Sequence, residues 1–162
     1  MAVTREIMAT YRGPGRVIGR LLGMGLREDR ALAILMAGCV IVFVAQWPRL
    51  ARQAHLEGSE LNMLLGSTLL AWVFVAPLML YVLAQLSHWI ARAIGAKGTS
   101  FGARLALFWA LLAASPLMLL YGLIAGFIGP SVGLQAVGVL WLAVFGWFWL
   151  AGLYRAEWGE TA

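Results

Sequence analysis

The stretch Gly98 to Pro130, GTSFGARLALFWALLAASPLMLLYGLIAGFIGP, decides the fold. It opens on a short polar approach, Gly98-Thr99-Ser100, and its last charge is Arg104. From Leu105 to Ile128 there is no charge. That run is about 24 residues, or roughly 36 Å of helix at about 1.5 Å per residue, enough to cross a hydrocarbon core with some tilt. Gly129-Pro130 is a helix stop. Inside the run, Pro116 has no N–H for the carbonyl of Leu112, so a kink is expected halfway across. In lipid that carbonyl needs a neighbouring helix, a hydroxyl or a water.

Outward from this stretch, three more apolar spans are expected. The first covers about 31–47, with Trp47 as an interface anchor and Pro48 as its stop. Ala33, Ala37 and Gly38 give it a small-residue face for close helix contact. The second covers about 63–94 and carries Pro77 at mid-span, which frees the carbonyl of Val73. The third is the central stretch, about 103–129, and the fourth covers about 131–153. Trp141, Phe145, Trp147, Phe148 and Trp149 crowd the fourth and read as packing surface, because no haem-spaced histidines accompany them. Pro77 and Pro116 are thus the two expected kink sites.

Composition agrees. Of 162 residues, 62% are hydrophobic and 12% charged, about half the charged share of a soluble domain. Mean hydropathy is +0.86. Cys39 lies in an apolar run and reads as a small packing side chain. The arginines before Ala31 and the lack of a small-residue cleavage site argue against a removed signal peptide.

Ahead of the spans, residues 1–13 form a polar lead and residues 14–30 a basic amphipathic segment. At about 100° per residue, Arg12, Arg16, Arg20, Arg27 and Arg30 fall within roughly an 80° arc. Val17, Ile18, Leu21, Leu22 and Met24 lie opposite, and Leu26 falls at the edge of the arc. The expected placement is in the headgroup plane, apolar face down, with the five arginines on lipid headgroups. Three glycines weaken this helix in isolation, so it should order on the bilayer or against the bundle. Between the first two spans, residues 48–62 are expected as a polar loop, with His55, Glu57 and Glu60 solvated rather than metal-bound. His88, beside Trp89 at the exit of the second span, is expected at the interface. A polar, partly mobile tail, 155–162, closes the chain.

The Gly/Ser approach, Phe101, Arg104, the apolar run and Ala113-Ala114-Ser115-Pro116 resemble the third-helix region of the bacterial Yip1-domain family. Pro14 to Arg30, PGRVIGRLLGMGLREDR, resembles that family's basic lead-in to its first membrane helix. The resemblance covers most of the chain in layout and these two patches in residues. It implies a polytopic helical membrane protein, and eukaryotic members of the family act in vesicle trafficking. The chain departs from the family in showing four spans where five are usual. It also lacks the Asp-Leu-x-Gly-Pro type motif of the trafficking members, Asp29 being its one aspartate, and with it the feature tied to GTPase partners.

Basic residues fix the expected orientation. Arg5, Arg12, Arg16, Arg20, Arg27 and Arg30 precede the first span, Arg49 and Arg52 follow it, Arg92, Lys97 and Arg104 follow the second, and Arg155 follows the fourth. One side collects ten and the other two, which puts both termini in the cytoplasm of a bacterial inner-membrane protein.

The expected architecture is therefore all-α: a four-helix transmembrane bundle behind a basic amphipathic interfacial helix. No interior charge marks a proton relay or charged-substrate pore, and no Walker loop, HExxH, GxSxG or Cys/His cluster is present. No catalytic residue, metal ligand or cofactor is expected, and the excess of arginine reads as topology and lipid contact rather than nucleic-acid binding. The leading functional expectation is a non-catalytic membrane scaffold or membrane-organising protein. Its partners would be anionic lipids and another membrane protein or a second copy. The alternative is a small transporter or lipid-handling protein with a polar path between the two proline helices; a membrane enzyme comes third.

Overall fold

The computed structural model describes residues 2–23, 28–58, 60–98 and 100–158. Its helices are α1 (Ala2–Thr10), α2 (Pro14–Gly23), α3 (Glu28–Glu57), α4 (Leu61–Leu70), α5 (Ala76–Ala93), α6 (Ser100–Phe127) and α7 (Val132–Trp158), with a π-helical turn, Ala71–Val75, joining α4 to α5. Among the described residues there is no strand. Four segments are long and apolar enough to cross a membrane: Asp29–Glu57, Leu61–Ala93, Ser100–Phe127 and Val132–Trp158. The all-α bundle read from the sequence is the architecture of the protein.

Helix α6 is its axis. From Phe101 to Ser115 every residue but Arg104 is buried, whichever way it points. Beyond Pro116 one face opens, exposing Leu119, Leu120, Leu123 and Phe127. Helix α3 runs parallel to α6, with Gly38 facing Leu111, Ala45 facing Gly122 and Pro48 facing Gly126. Helix α7 runs antiparallel, with Gly152 beside Ala106 and Gly138 beside Tyr121. An apolar surface gains little by leaving lipid tails for another helix, so close backbone approach and dispersion hold such contacts. Gly122 and Gly126 supply that approach: a Cβ on Gly122 would overlap the Ala45 carbonyl, and one on Gly126 would lie 2.6 Å from the Pro48 carbonyl carbon. Of the small-residue face expected on the first span, Gly38 alone is buried, against Leu111, while Ala33 and Ala37 are exposed; the close approach is made instead by Gly122 and Gly126 on Ala45 and Pro48.

Proline has three different outcomes. Pro48 does not stop its helix: α3 continues to Glu57, correcting both the expected span end and the expected polar loop 48–62. The added turns are supported by Leu50, which is buried, and by Gln53 Nε2 donating to Glu57 Oε2 at 3.3 Å. Pro77 lies in the first turn of α5, immediately after the π turn, where the Ala76 N–H reaches the Ala71 carbonyl five residues back. The widened turn absorbs the ring and the missing donor. At Pro116, α6 runs on without interruption, and the Ser115 hydroxyl donates to the Leu112 carbonyl at 2.6 Å. That is the carbonyl which proline leaves without a donor, and a hydroxyl serves it.

The amphipathic segment 14–30 is not one helix. Helix α2 ends at Gly23 and α3 starts at Glu28. Residues 1–13 contribute a formed helix, α1, which folds back against α2 as a hairpin. The apolar face of α2 is buried in the bundle: Val17 is 0% and Ile18 1% exposed, and Ile18 lies against Gly152 of α7. This face therefore meets protein rather than lipid, which corrects its placement flat in the headgroup plane.

Candidate functional site

Polar side chains concentrate at the end of the bundle that holds the start of α6 and the end of α7. Helix α5 ends there on Gly95, at φ +102°, with the Ala96 N–H bonded to the Ala91 carbonyl. Only a residue without a Cβ takes that left-handed conformation at no cost, and it turns the chain across the end of α7. The Lys97 N–H then donates to the Glu157 carbonyl at 3.0 Å. Gly98 presses on the same turn, where an added Cβ would lie 2.7 Å from the Glu157 Cα.

Under this cover sits a buried histidine–glutamate pair. His88 Nδ1 of α5 lies 2.7 Å from Glu157 Oε1 of α7, with side-chain exposures of 7% and 0%. Neither residue is where the sequence suggested: His88 is not an interfacial residue touching headgroups, and Glu157 is not part of a mobile tail. The second carboxylate oxygen, Oε2, is buried with no hydrogen-bond partner. Ser87, the neighbouring hydroxyl, donates to the Ala84 carbonyl at 2.7 Å. What this pair does is tie α5 to α7 at their ends. No local pattern announces it, because the two residues are 69 positions apart and Glu157 is buried by a loop rather than by its own helical face.

The second polar assembly is the outer face of the α1–α2 hairpin. Arg12 in the turn and Arg16 and Arg20 on α2 are exposed along one stripe, as their spacing implied. Arg5 of α1 joins them across a cleft of about 400 Å³. Glu6 Oε1 pairs with Arg20 at 3.2 Å. Arg27 lies outside the described residues. Arg30 belongs to α3, away from this cleft, and its buried Nη1 has no hydrogen-bond partner. The structure thus brings together Arg12, Arg16 and Arg20, adds Arg5, and separates Arg30.

The hairpin is fastened at its turn. Tyr11 Oη donates to the Ala113 carbonyl at 2.7 Å, and its ring meets Phe148 edge-on at 4.9 Å. Thr10 is fully buried; its hydroxyl donates to the Glu6 carbonyl at 2.7 Å and accepts from Trp109 Nε1 at 2.9 Å.

At the opposite end, Trp47, Arg52, His55 and Phe127 line an open cleft of about 530 Å³ between α3 and α6. Arg52 Nη1 reaches to 3.5 Å from the Gly126 carbonyl. Among the described residues no three His, Cys, Asp or Glu side chains gather as metal ligands, at His55 or elsewhere. No family model, curated protein or solved structure matches this chain.

Proposed function

We propose that this protein is a non-catalytic membrane scaffold or membrane-organising protein, acting through helix packing and through lipid or protein contact. One observation carries the reading. Four buried or half-buried polar groups along and around α6 are used on each other and on backbone: Ser115 on Leu112, Tyr11 on Ala113, Trp109 on Thr10 and His88 on Glu157. Among the described residues, the buried side-chain atoms without a hydrogen-bond partner, Glu6 Oε2, Arg30 Nη1, Glu157 Oε2 and the indole N–H of Trp141 and Trp149, are scattered over α1, α3 and α7 rather than gathered in one site. The two proline helices meet through Tyr81 and Phe108, edge-on at 4.9 Å, and through the apolar side chains of Leu80 and Ala84 in the same core. A bundle arranged this way favours association over turnover or a hydrated path.

The resemblance of the Ala113-Ala114-Ser115-Pro116 region to the Yip1-domain family supports the same role, in a bacterial inner membrane. The ten-to-two division of basic residues supports cytoplasmic termini. Parallel packing of α3 on α6 and antiparallel packing of α6 on α7 are what alternate crossings require. Outward faces remain for a second copy or another membrane protein, notably Phe74, Leu78, Met79, Val82 and Leu86 of the second crossing. The arginine stripe favours anionic lipid.

The test is extraction in native nanodiscs, followed by mass measurement of the particle, alongside ion and solute flux in proteoliposomes. A defined homo-oligomer or stoichiometric complex with no flux above empty vesicles is expected. A monomer with reproducible flux would transfer the assignment to a transporter.

A further inference from the structure

The depth of the hairpin turn has a consequence for the leaflet around it. Arg104 is the last charge on α6 before its apolar run, and Ala113, which accepts the Tyr11 hydroxyl, lies nine residues on, about 13 Å along the helix. On α7, Phe148 lies seven residues inside Arg155, about 10 Å. The turn, whose Tyr11 side chain reaches that level and whose Thr10 bonds Trp109 five residues past Arg104, is therefore about 7–13 Å below the charges that end both spans, in a hydrocarbon layer about 30 Å thick. Its apolar face is taken by α6 and α7. The face left toward the surroundings carries Arg5, Arg12 and Arg16 beside Met8, which is 70% exposed. Arg20 is satisfied by Glu6, while the other three have no carboxylate partner among the described residues.

An arginine held against acyl chains is costly unless its stem snorkels to a headgroup or a headgroup comes to it. Arg12 adjoins the deepest residue of the turn, and Arg5 and Arg16 converge on the same cleft of about 400 Å³. Guanidinium groups bind phosphate oxygens in paired hydrogen bonds, which suits a cleft lined from two sides. We propose that the α1–α2 cleft binds the phosphate of an anionic lipid from the cytoplasmic leaflet and draws that headgroup below the plane of its neighbours. The protein would thin the leaflet locally where the hairpin enters. This rests on the membrane-organising reading only in that the arginines contact lipid, and it holds whether or not a protein partner exists.

The experiment uses the full chain in nanodiscs of phosphatidylcholine with a minority of phosphatidylglycerol, with retained lipid read by native mass spectrometry after release. Wild type should keep phosphatidylglycerol. The R5Q/R12Q/R16Q variant should lose it by on the order of a hundredfold in apparent affinity, taking the per-residue contribution of a basic side chain near an anionic leaflet as additive. The single variant R12Q should show a partial loss, which keeps the test open should the triple variant not fold. R49Q/R92Q/K97Q, which removes as much charge from exposed positions outside the cleft, should lose clearly less than R5Q/R12Q/R16Q, its cost being only the general attraction of basic residues to the leaflet. Equal loss in both triple variants would reduce the effect to net charge and overturn the site. So would unchanged retention in R5Q/R12Q/R16Q. Inorganic phosphate at 10 mM should not displace the lipid; displacement would assign the cleft to a soluble phosphate ligand instead. Depth is read separately, with a nitroxide at Met8→Cys in a Cys39→Ala background. Greater collision with oxygen than with a water-soluble nickel chelate is expected, and the reverse would place the hairpin in water and overturn the proposal. Failure of these arms leaves the oligomer and flux measurements untouched, so the two readings fail separately.

Discussion

Replacing Gly122 by Ala should destabilise the bundle, while the same change at Gly146 should stabilise it. Both glycines are helical, so both substitutions gain roughly 0.5–1 kcal/mol of helix propensity. They differ in what the new methyl meets. At Gly146 nothing lies within 4 Å. At Gly122 the methyl would overlap the Ala45 carbonyl oxygen and lie 2.8 Å from its carbon. Ordinary contact begins at 3.4 Å, so relieving the carbon contact alone parts α3 and α6 by about 0.6 Å and the closer oxygen requires more, and a gap of that size forfeits a quarter or more of each dispersion contact along the seam. Overpacking of this kind costs about 1–3 kcal/mol, and a clash with backbone belongs at the upper end, leaving Gly122→Ala a net loss of up to about 2.5 kcal/mol. The double variant with Gly126→Ala should cost less than the two singles together, because one separation relieves both clashes. Thermal unfolding in a single detergent, followed by circular dichroism, orders the variants. A midpoint for Gly122→Ala at or above that of Gly146→Ala would refute the backbone-contact account of the α3–α6 seam.

Three further outcomes rest on the same geometry. Ser115→Ala strands the Leu112 carbonyl at about 1–3 kcal/mol, and adding Pro116→Ala should restore part of it by returning an N–H; a double variant no more stable than the single would show that the hydroxyl serves no such purpose. His88→Ala leaves the buried Glu157 side chain with neither oxygen hydrogen-bonded and should cost about 1–3 kcal/mol, whereas His88→Ala with Glu157→Leu should recover most of that loss in the same unfolding assay. Reporter fusions at Gly58 and Pro130 should report the outside and fusions at Lys97 and Ala162 the cytoplasm, with an outward Ala162 contradicting the four-crossing arrangement.

The spans were legible because lipid imposes one requirement on sequence, a long uncharged run, and four such runs are present. At Pro116 the lost donor named the Leu112 carbonyl but not its partner, and of the helix, hydroxyl or water it called for, the adjacent Ser115 hydroxyl serves. Pro48 was misleading because the effect of a proline depends on the residues after it and on the helix it faces. Arginine, leucine and alanine carry the helix on, and Gly126 of α6 makes room for the ring. Pro77 announced a defect but not its form, since a π turn and a kink both answer a missing donor. The His88–Glu157 pair was not legible at all. Its burial comes from the chain at Lys97–Gly98 folding over the end of α7, a tertiary event with no periodic trace.

The hairpin marks the limit of periodicity. The arginine stripe and the apolar stripe opposite it both exist. Periodicity assigns the apolar stripe to lipid, and the structure gives it to α6 and α7. A Leu or Val side chain has nearly the same environment against acyl chains as against a helix, so composition cannot separate the two. Shape separates them. Ile18 fits where Gly152 and Ala106 leave room, and Thr10 and Tyr11 carry hydroxyls that need acceptors or donors which acyl chains lack and which Glu6, Trp109 and Ala113 provide. Two hydroxyls at the turn of an otherwise amphipathic hairpin were the available signal that its apolar face was meant for protein. With that face taken, the arginines face outward at whatever depth the turn reaches, and their depth becomes a property of the fold rather than of the membrane surface.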